Sequence, residues 1–201
     1  MKLSPLDRVL LLLTTILTSY QVAVGIDDLD TLPIIAFTVG FGVLLVAVLL
    51  MFILGFDVLD SPIVVIVSTV IPLALSLGIV WQYIASFRTS YLIFTIVGFL
   101  AVALTRSIPM QNKFPVFVLA VTHGIAGMTI FLLPIILSIQ GNAPPLFSLV
   151  SIGGGLIGIG GLLLSFLKVG KPILPRETIL RLFPALLLLT TAFFVAGFKF
   201  G

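Results

Sequence analysis

Seven long apolar runs dominate the chain. Every charged residue lies in or beside a gap between them, and none sits in the middle of a run. The runs fall at about 9–25, 32–56, 62–84, 91–107, 114–138, 145–167 and 179–198. Each approaches the roughly 20 apolar residues that a helix needs to cross a bilayer. The pattern predicts an all-α integral membrane protein, a bundle of seven transmembrane helices in a single domain over residues 1–201, with connections too short for a soluble domain.

The gaps carry helix punctuation. Asp27, Asp28 and Asp30 precede Thr31 and Pro33, and Asp57 and Asp60 precede Ser61 and Pro62. Each group predicts a helix start: a short oxygen acceptor at the cap, proline in the first turn, and acidic charge at the positive end of the helix dipole. The stretches Gly25–Thr31 and Gly55–Ser61 look like copies. Two capping turns built by the same rules on opposite sides of the membrane explain the likeness more cheaply than a repeat. Asn142, Pro144 and Pro145 divide the fifth run from the sixth, and Pro172 and Pro175 precede the seventh. Lys2 and Arg8 before the first run, with Ala23, Val24 and Gly25 after it, resemble a signal peptide and its cleavage site. The segment is read as a retained, short first span.

Placing the N-terminus in the cytoplasm puts Lys2, Arg8, Arg106, Lys113, Lys168, Lys171, Arg176 and Arg181 inside and leaves only Arg88 and Lys199 outside, eight against two of the ten basic residues. Basic residues favour cytoplasmic loops, and Trp and Tyr favour the headgroup region. Tyr20, Trp81, Tyr83 and Tyr91 all fall at outer ends in the same arrangement. Both signals predict N-terminus in and C-terminus out, and the expected location is a prokaryotic cytoplasmic (inner) membrane.

Composition narrows the chemistry. The chain is 60% hydrophobic and 8% charged, with a mean hydropathy of +1.38. A net charge of +3, widely dispersed, gives no footprint for nucleic acid. The absence of cysteine excludes disulfides, thiolate metal sites and cysteine nucleophiles. No carboxylate lies within a run, which argues against a buried proton relay. Lys199 comes only at the end of the seventh run, which argues against a retinal Schiff base. No histidine cluster or nucleophile elbow is present, so no metal site and no catalytic residues are expected, and the chain is read as not an enzyme.

His123, the single histidine, lies near the middle of the fifth run with Ala120, Gly124 and Gly127 around it. These small residues leave a flat opening that suits a tetrapyrrole macrocycle with the imidazole as axial ligand, in which case Met128, another ligand or a partner chain completes the metal. They suit close helix packing with His123 as an interhelical hydrogen bonder equally well in geometry, and packing is the commoner use. In the sixth run Gly154, Gly158 and Gly161 form a small-residue stripe for helix packing, and no Lys-Ser/Thr follows to make a phosphate loop. Pro72 and Pro134 predict kinks, and Ser68 and Thr69, one turn before Pro72, predict hydroxyls that satisfy freed backbone or, with Thr122, line a pathway. Lys168, Lys171, Arg176 and Arg181 form a basic patch for topology and anionic lipid, with Glu177 spaced to pair with Arg181.

Two functional expectations follow. One is a non-catalytic accessory or structural subunit of a larger membrane complex, holding a lipid, quinone or pigment, with membrane lipids, other membrane subunits or a second copy of itself as partners. The other is a passive channel or facilitator for a small solute or ion, lined by backbone carbonyls and hydroxyls near Ser68, Thr69, Thr122 and His123.

Overall fold

Helix α1 (Pro5–Val24) begins four residues ahead of the first apolar run because Ser4 and Asp7 form a capping box. The Asp7 amide donates to Ser4 Oγ at 3.1 Å and the Ser4 amide donates to Asp7 Oδ2 at 2.8 Å, satisfying two amides that the helix cannot. In this computed structural model, which describes residues 2–26, 29–108, 110, 112–168 and 170–201, the chain continues as α2 (Thr31–Leu54), α3 (Pro62–Ser68), α4 (Val70–Tyr83), α5 (Arg88–Ser107), α6 (Phe114–Ile139), α7 (Ser148–Lys168) and α8 (Arg176–Phe200). Short 3-10 turns occupy Phe56–Asp60, Ala85–Phe87 and Pro145–Phe147. With α3 and α4 counted as one, seven segments are long and apolar enough to cross a membrane, and no strand occurs among the described residues.

The two similar turns share one construction. Gly25 and Gly55 have φ of 74° and 78°, where glycine carries no penalty, and their amides close the preceding helices on the Gln21 and Met51 carbonyls. The helix starts that follow differ from expectation. Asp27 and Asp28 lie outside the described residues. Asp30 and Ser61 are N-caps, but neither side chain makes a capping bond. The Asp30 carboxylate instead accepts from Arg88 Nη2 at 3.0 Å, joining the start of α2 to the start of α5. The Arg88 and Asp30 side chains are 35% and 54% exposed, so Asp30→Asn is expected to cost no more than about 1 kcal/mol in thermal unfolding. Glu177 forms no ion pair with Arg181 among the described residues; Arg176 is the partner that counts, 3.7 Å from Asp60.

The third run is interrupted at a single residue. Pro72 has no amide to give the Ser68 carbonyl, and Thr69, between α3 and α4, keeps right-handed helical backbone, its own amide reaching the Val65 carbonyl at 3.2 Å. Thr69 is fully buried there, with Oγ1 donating to the Val65 carbonyl at 2.8 Å. Pro134, by contrast, is accommodated inside a continuous α6; the next amide, of Ile135, donates to Ser151 Oγ of α7 at 3.2 Å.

Helices α1, α2, α4, α6, α7 and α8 pack in that order as a closed ring, with α8 returning to α1, while α5 lies against α3, α4 and α6. The middle of the ring is aromatic. Phe41 meets Phe194 and Phe198 edge-on at centroid distances of 6.5 and 6.0 Å, and Phe198 also packs against Phe37 at 4.5 Å with the rings tilted by 51°. Glycines let the helices close on these rings: a Cβ at Gly78 would lie 2.6 Å from the Phe37 ring, and one at Gly153 would lie 2.6 Å from Phe194. Four interior hydroxyls are consumed locally, whereas those of Thr190 and Thr191 in α8 are buried without a partner among the described residues. Thr14, Thr18, Ser76 and Thr105 each donate to a carbonyl four residues back, so they are buried without needing a neighbour. Many large apolar side chains face outward instead, Ile53, Leu104 and Ile139 among them.

Candidate functional site

Three regions could act on something outside the chain. The first surrounds His123. Its face of α6 carries Ala120 and Gly124, both exposed, and a Cβ at Gly124 or Gly127 would meet nothing within 4 Å. The flat opening is therefore present on the bundle's flank, and among the described residues no helix closes over those two glycines. The imidazole is half-buried. The Leu119 carbonyl, one turn earlier, interacts with the ring, yet Nδ1 is buried without a partner at hydrogen-bond geometry among the described residues. No group of three or more metal-ligating side chains occurs among the described residues, so His123 stands as a lone donor.

The other sequence candidates are dispersed. Thr122 is buried toward α5, its methyl 3.1 Å from where a Cβ of Gly98 would stand. Ser68 and Thr69 both give their hydroxyls to the Val65 carbonyl, on an arm that packs against α2 and α5. They are not brought together with Thr122 or His123 in any described contact. The glycine stripe of α7 divides in the same way. A Cβ at Gly154 would stand 3.3 Å from the Ile130 and Phe131 backbone of α6, whereas Gly158 and Gly161 face open space. Gly153, on a neighbouring face and unremarked in the stripe, makes the closer approach to α8.

The second region is a lateral groove of about 340 Å³ between α2 and α5, floored by α4. Ala36 and Ala74 make it deep, because small side chains leave the α2–α4 seam uncovered, and Ile35, Val39, Ile96 and Phe99 wall it. Thr95 is the one polar residue on its lining, and its hydroxyl is spent on the Tyr91 carbonyl at 2.9 Å. The volume is within the roughly 300–1,000 Å³ typical of small-molecule clefts. The groove exists because α5 leans on α4 and α6 without touching α2 along its length, the two being tied only at their starts by Arg88 and Asp30. Pattern reading alone could not find it: its lining is drawn from three runs that look alike in sequence.

The third region is the end of the bundle that carries the N-terminus. Lys168 Nζ donates to the Leu59 carbonyl at 2.5 Å, and the neighbouring Asp60 pairs with Arg176 at 3.7 Å. Arg106, at the end of α5, lies at the same end of the bundle. Its Nε is buried and has no hydrogen-bond partner among the described residues. The sequence had assigned Arg106 only a role in orientation. Comparison with known protein families, characterised proteins and solved structures found no match to this chain.

Proposed function

We propose that the protein is a multi-pass membrane protein, N-terminus in the cytoplasm, that serves as a non-catalytic accessory subunit and holds the hydrocarbon chain of a lipid or quinone in the groove between α2, α4 and α5. The groove carries the reading: a cleft of about 340 Å³, open sideways, with apolar walls and no unsatisfied hydrogen-bonding group on its lining. Such a surface offers a ligand dispersion contacts and little else, which suits an alkyl or isoprenoid chain and selects against a polar solute. The outward-facing apolar side chains support insertion, since contiguous exposed apolar surface marks membrane or protein contact. The eight-to-two distribution of basic residues supports the orientation.

The test is native mass spectrometry of the protein solubilised gently from its own membrane. The wild type is expected to carry an apolar small molecule and to migrate with other membrane subunits. Ala36→Phe and Ala74→Phe, which fill the groove, are expected to lose the small molecule while retaining the fold. A bare wild type, or adducts that survive both substitutions, would overturn the groove assignment. Migration as a lone monomer would overturn the accessory role and bring solute-flux assays forward.

A further inference from the structure

The groove between α2, α4 and α5 has a charged end. Its lining starts at Leu32 in the first turn of α2 and reaches Val39, and on α5 it runs from Thr95 to Leu100. At about 1.5 Å of rise per residue, Val39 lies about 14 Å beyond Asp30 and Leu100 about 18 Å beyond Arg88. Half of a hydrocarbon core of roughly 30 Å is about 15 Å, so the groove spans the depth of one leaflet. At its charged end Arg88 and Asp30 pair at 3.0 Å and join the starts of α5 and α2. The end of α4 completes the frame. Arg88 Nε donates to the Trp81 carbonyl at 2.6 Å, the guanidinium lies 5.6 Å from the centre of the Trp81 ring, and Gln82 Oε1 accepts from the Asp30 amide at 3.2 Å. The pair is held in place yet not used up. Arg88 Nη1 and Asp30 Oδ1 make no hydrogen bond among the described residues, and both side chains are partly exposed. Tryptophan favours headgroup depth, so a fixed cation and a fixed anion stand side by side at the level of a lipid's polar end.

We propose that the groove's ligand is a zwitterionic phospholipid with a primary amine, of the phosphatidylethanolamine class, whose phosphate meets Arg88 and whose ammonium meets Asp30. The inference rests on the groove reading above and names the occupant: one acyl chain stands in the groove and the headgroup sits on the ion pair. The remaining guanidinium N–H groups match phosphate oxygens, and the free carboxylate oxygen accepts from an ammonium, which has three donors. The pair is complementary in charge to a headgroup that carries both signs. A quinone brings no charge to answer either residue. An anionic headgroup leaves Asp30 facing like charge, and a quaternary ammonium has no N–H to give it.

The experiment is native mass spectrometry of the purified full-length protein, stripped of lipid in detergent. It is then offered, at equal concentration, ubiquinone or one of three palmitoyl-oleoyl phospholipids: phosphatidylethanolamine, phosphatidylcholine and phosphatidylglycerol. The wild type is expected to retain phosphatidylethanolamine roughly tenfold over the other three, the worth of one charge-assisted hydrogen bond. Asp30→Asn should level phosphatidylethanolamine with phosphatidylcholine, and Arg88→Gln should weaken all three phospholipids by a similar factor. Ala36→Phe should lose every adduct, while Lys199→Gln, a cation of α8 at the same end, should keep the preference. Adducts with no preference for phosphatidylethanolamine, a preference that survives both charge variants, or an equal loss in Lys199→Gln overturn the headgroup assignment and leave the groove reading standing. A wild type that takes up none of the four overturns both. Should Arg88→Gln fail to fold, Asp30→Asn decides the matter alone, because its partly exposed ion pair contributes little to stability.

Discussion

Gly197→Ala is expected to be among the most damaging single-methyl changes in the chain. A Cβ at this position in α8 would stand 2.6 Å from Val150 Cγ2 and 2.8 Å from the Val150 amide nitrogen. A side chain can rotate out of such a contact but a backbone nitrogen cannot, so α7 itself must shift. Overpacking of this kind costs about 3 kcal/mol, and at this chain length each kcal/mol lowers the thermal midpoint by roughly 2–4 °C. Gly153→Ala should act in the same direction, its Cβ meeting both Phe194 and, at 3.0 Å, the Thr190 carbonyl oxygen. Gly158→Ala is the control: the site is open, and alanine's helix propensity favours it by up to about 1 kcal/mol. Thermal unfolding of the three variants in one detergent checks the ranking. Equal midpoints for Gly197→Ala and Gly158→Ala would mean that α7 and α8 do not meet as described.

Phe41→Ala is expected to cost still more, about 3–5 kcal/mol, because it removes a side chain that is 1% exposed and surrounded by other rings. The loss has two parts, the contacts of the ring itself and the void left among Phe37, Phe194 and Phe198, none of which can fill it without abandoning its own neighbours. The same substitution interrogates the solute-path alternative. A pathway through the ring of helices requires these aromatic side chains to part. Proteoliposomes of wild type are expected to remain tight to small solutes, and those of the Phe41→Ala, Phe194→Ala double variant to leak. Flux through the wild type, unchanged in the double variant, would place any path elsewhere than the aromatic centre.

The architecture was largely legible before the structure, since a run of apolar residues bounded by charge has few other interpretations and all seven runs became helices long enough to cross a membrane. Details that depend on distant partners were not legible. Asp30 reads as a helix cap until Arg88, 58 residues later, is seen to claim its carboxylate. Gly154, Gly158 and Gly161 share a helical face in sequence, but a face is a packing surface only where another helix arrives, and one arrives at Gly154 alone. The interruption at Thr69 was half-visible: Pro72 announces a lost hydrogen bond, while the residue at which the helix is interrupted depends on which carbonyl loses it. The burial of Arg106 Nε escaped for a related reason. Arg106 sits where a topology-setting residue belongs, and only its folded environment shows that Nε is turned away from solvent.

The local use of interior hydroxyls has an evolutionary consequence. Since Thr14, Thr18, Ser76 and Thr105 bond within their own helices, alanine or valine can replace them without leaving a neighbour unsatisfied. Polar side chains that cross between spans are few among the described residues, with Tyr91 donating to Thr129 at 3.0 Å and Ser151 accepting from Ile135. Helix register is therefore written in volume, as glycine against phenylalanine and glycine against backbone. Descendants of a common ancestor would be free to exchange most of their polar letters while keeping Gly78 with Phe37, Gly153 with Phe194 and Gly197 with Val150. A pattern of paired sizes at those separations, rather than any short motif, is the signature by which kin of this protein would be known.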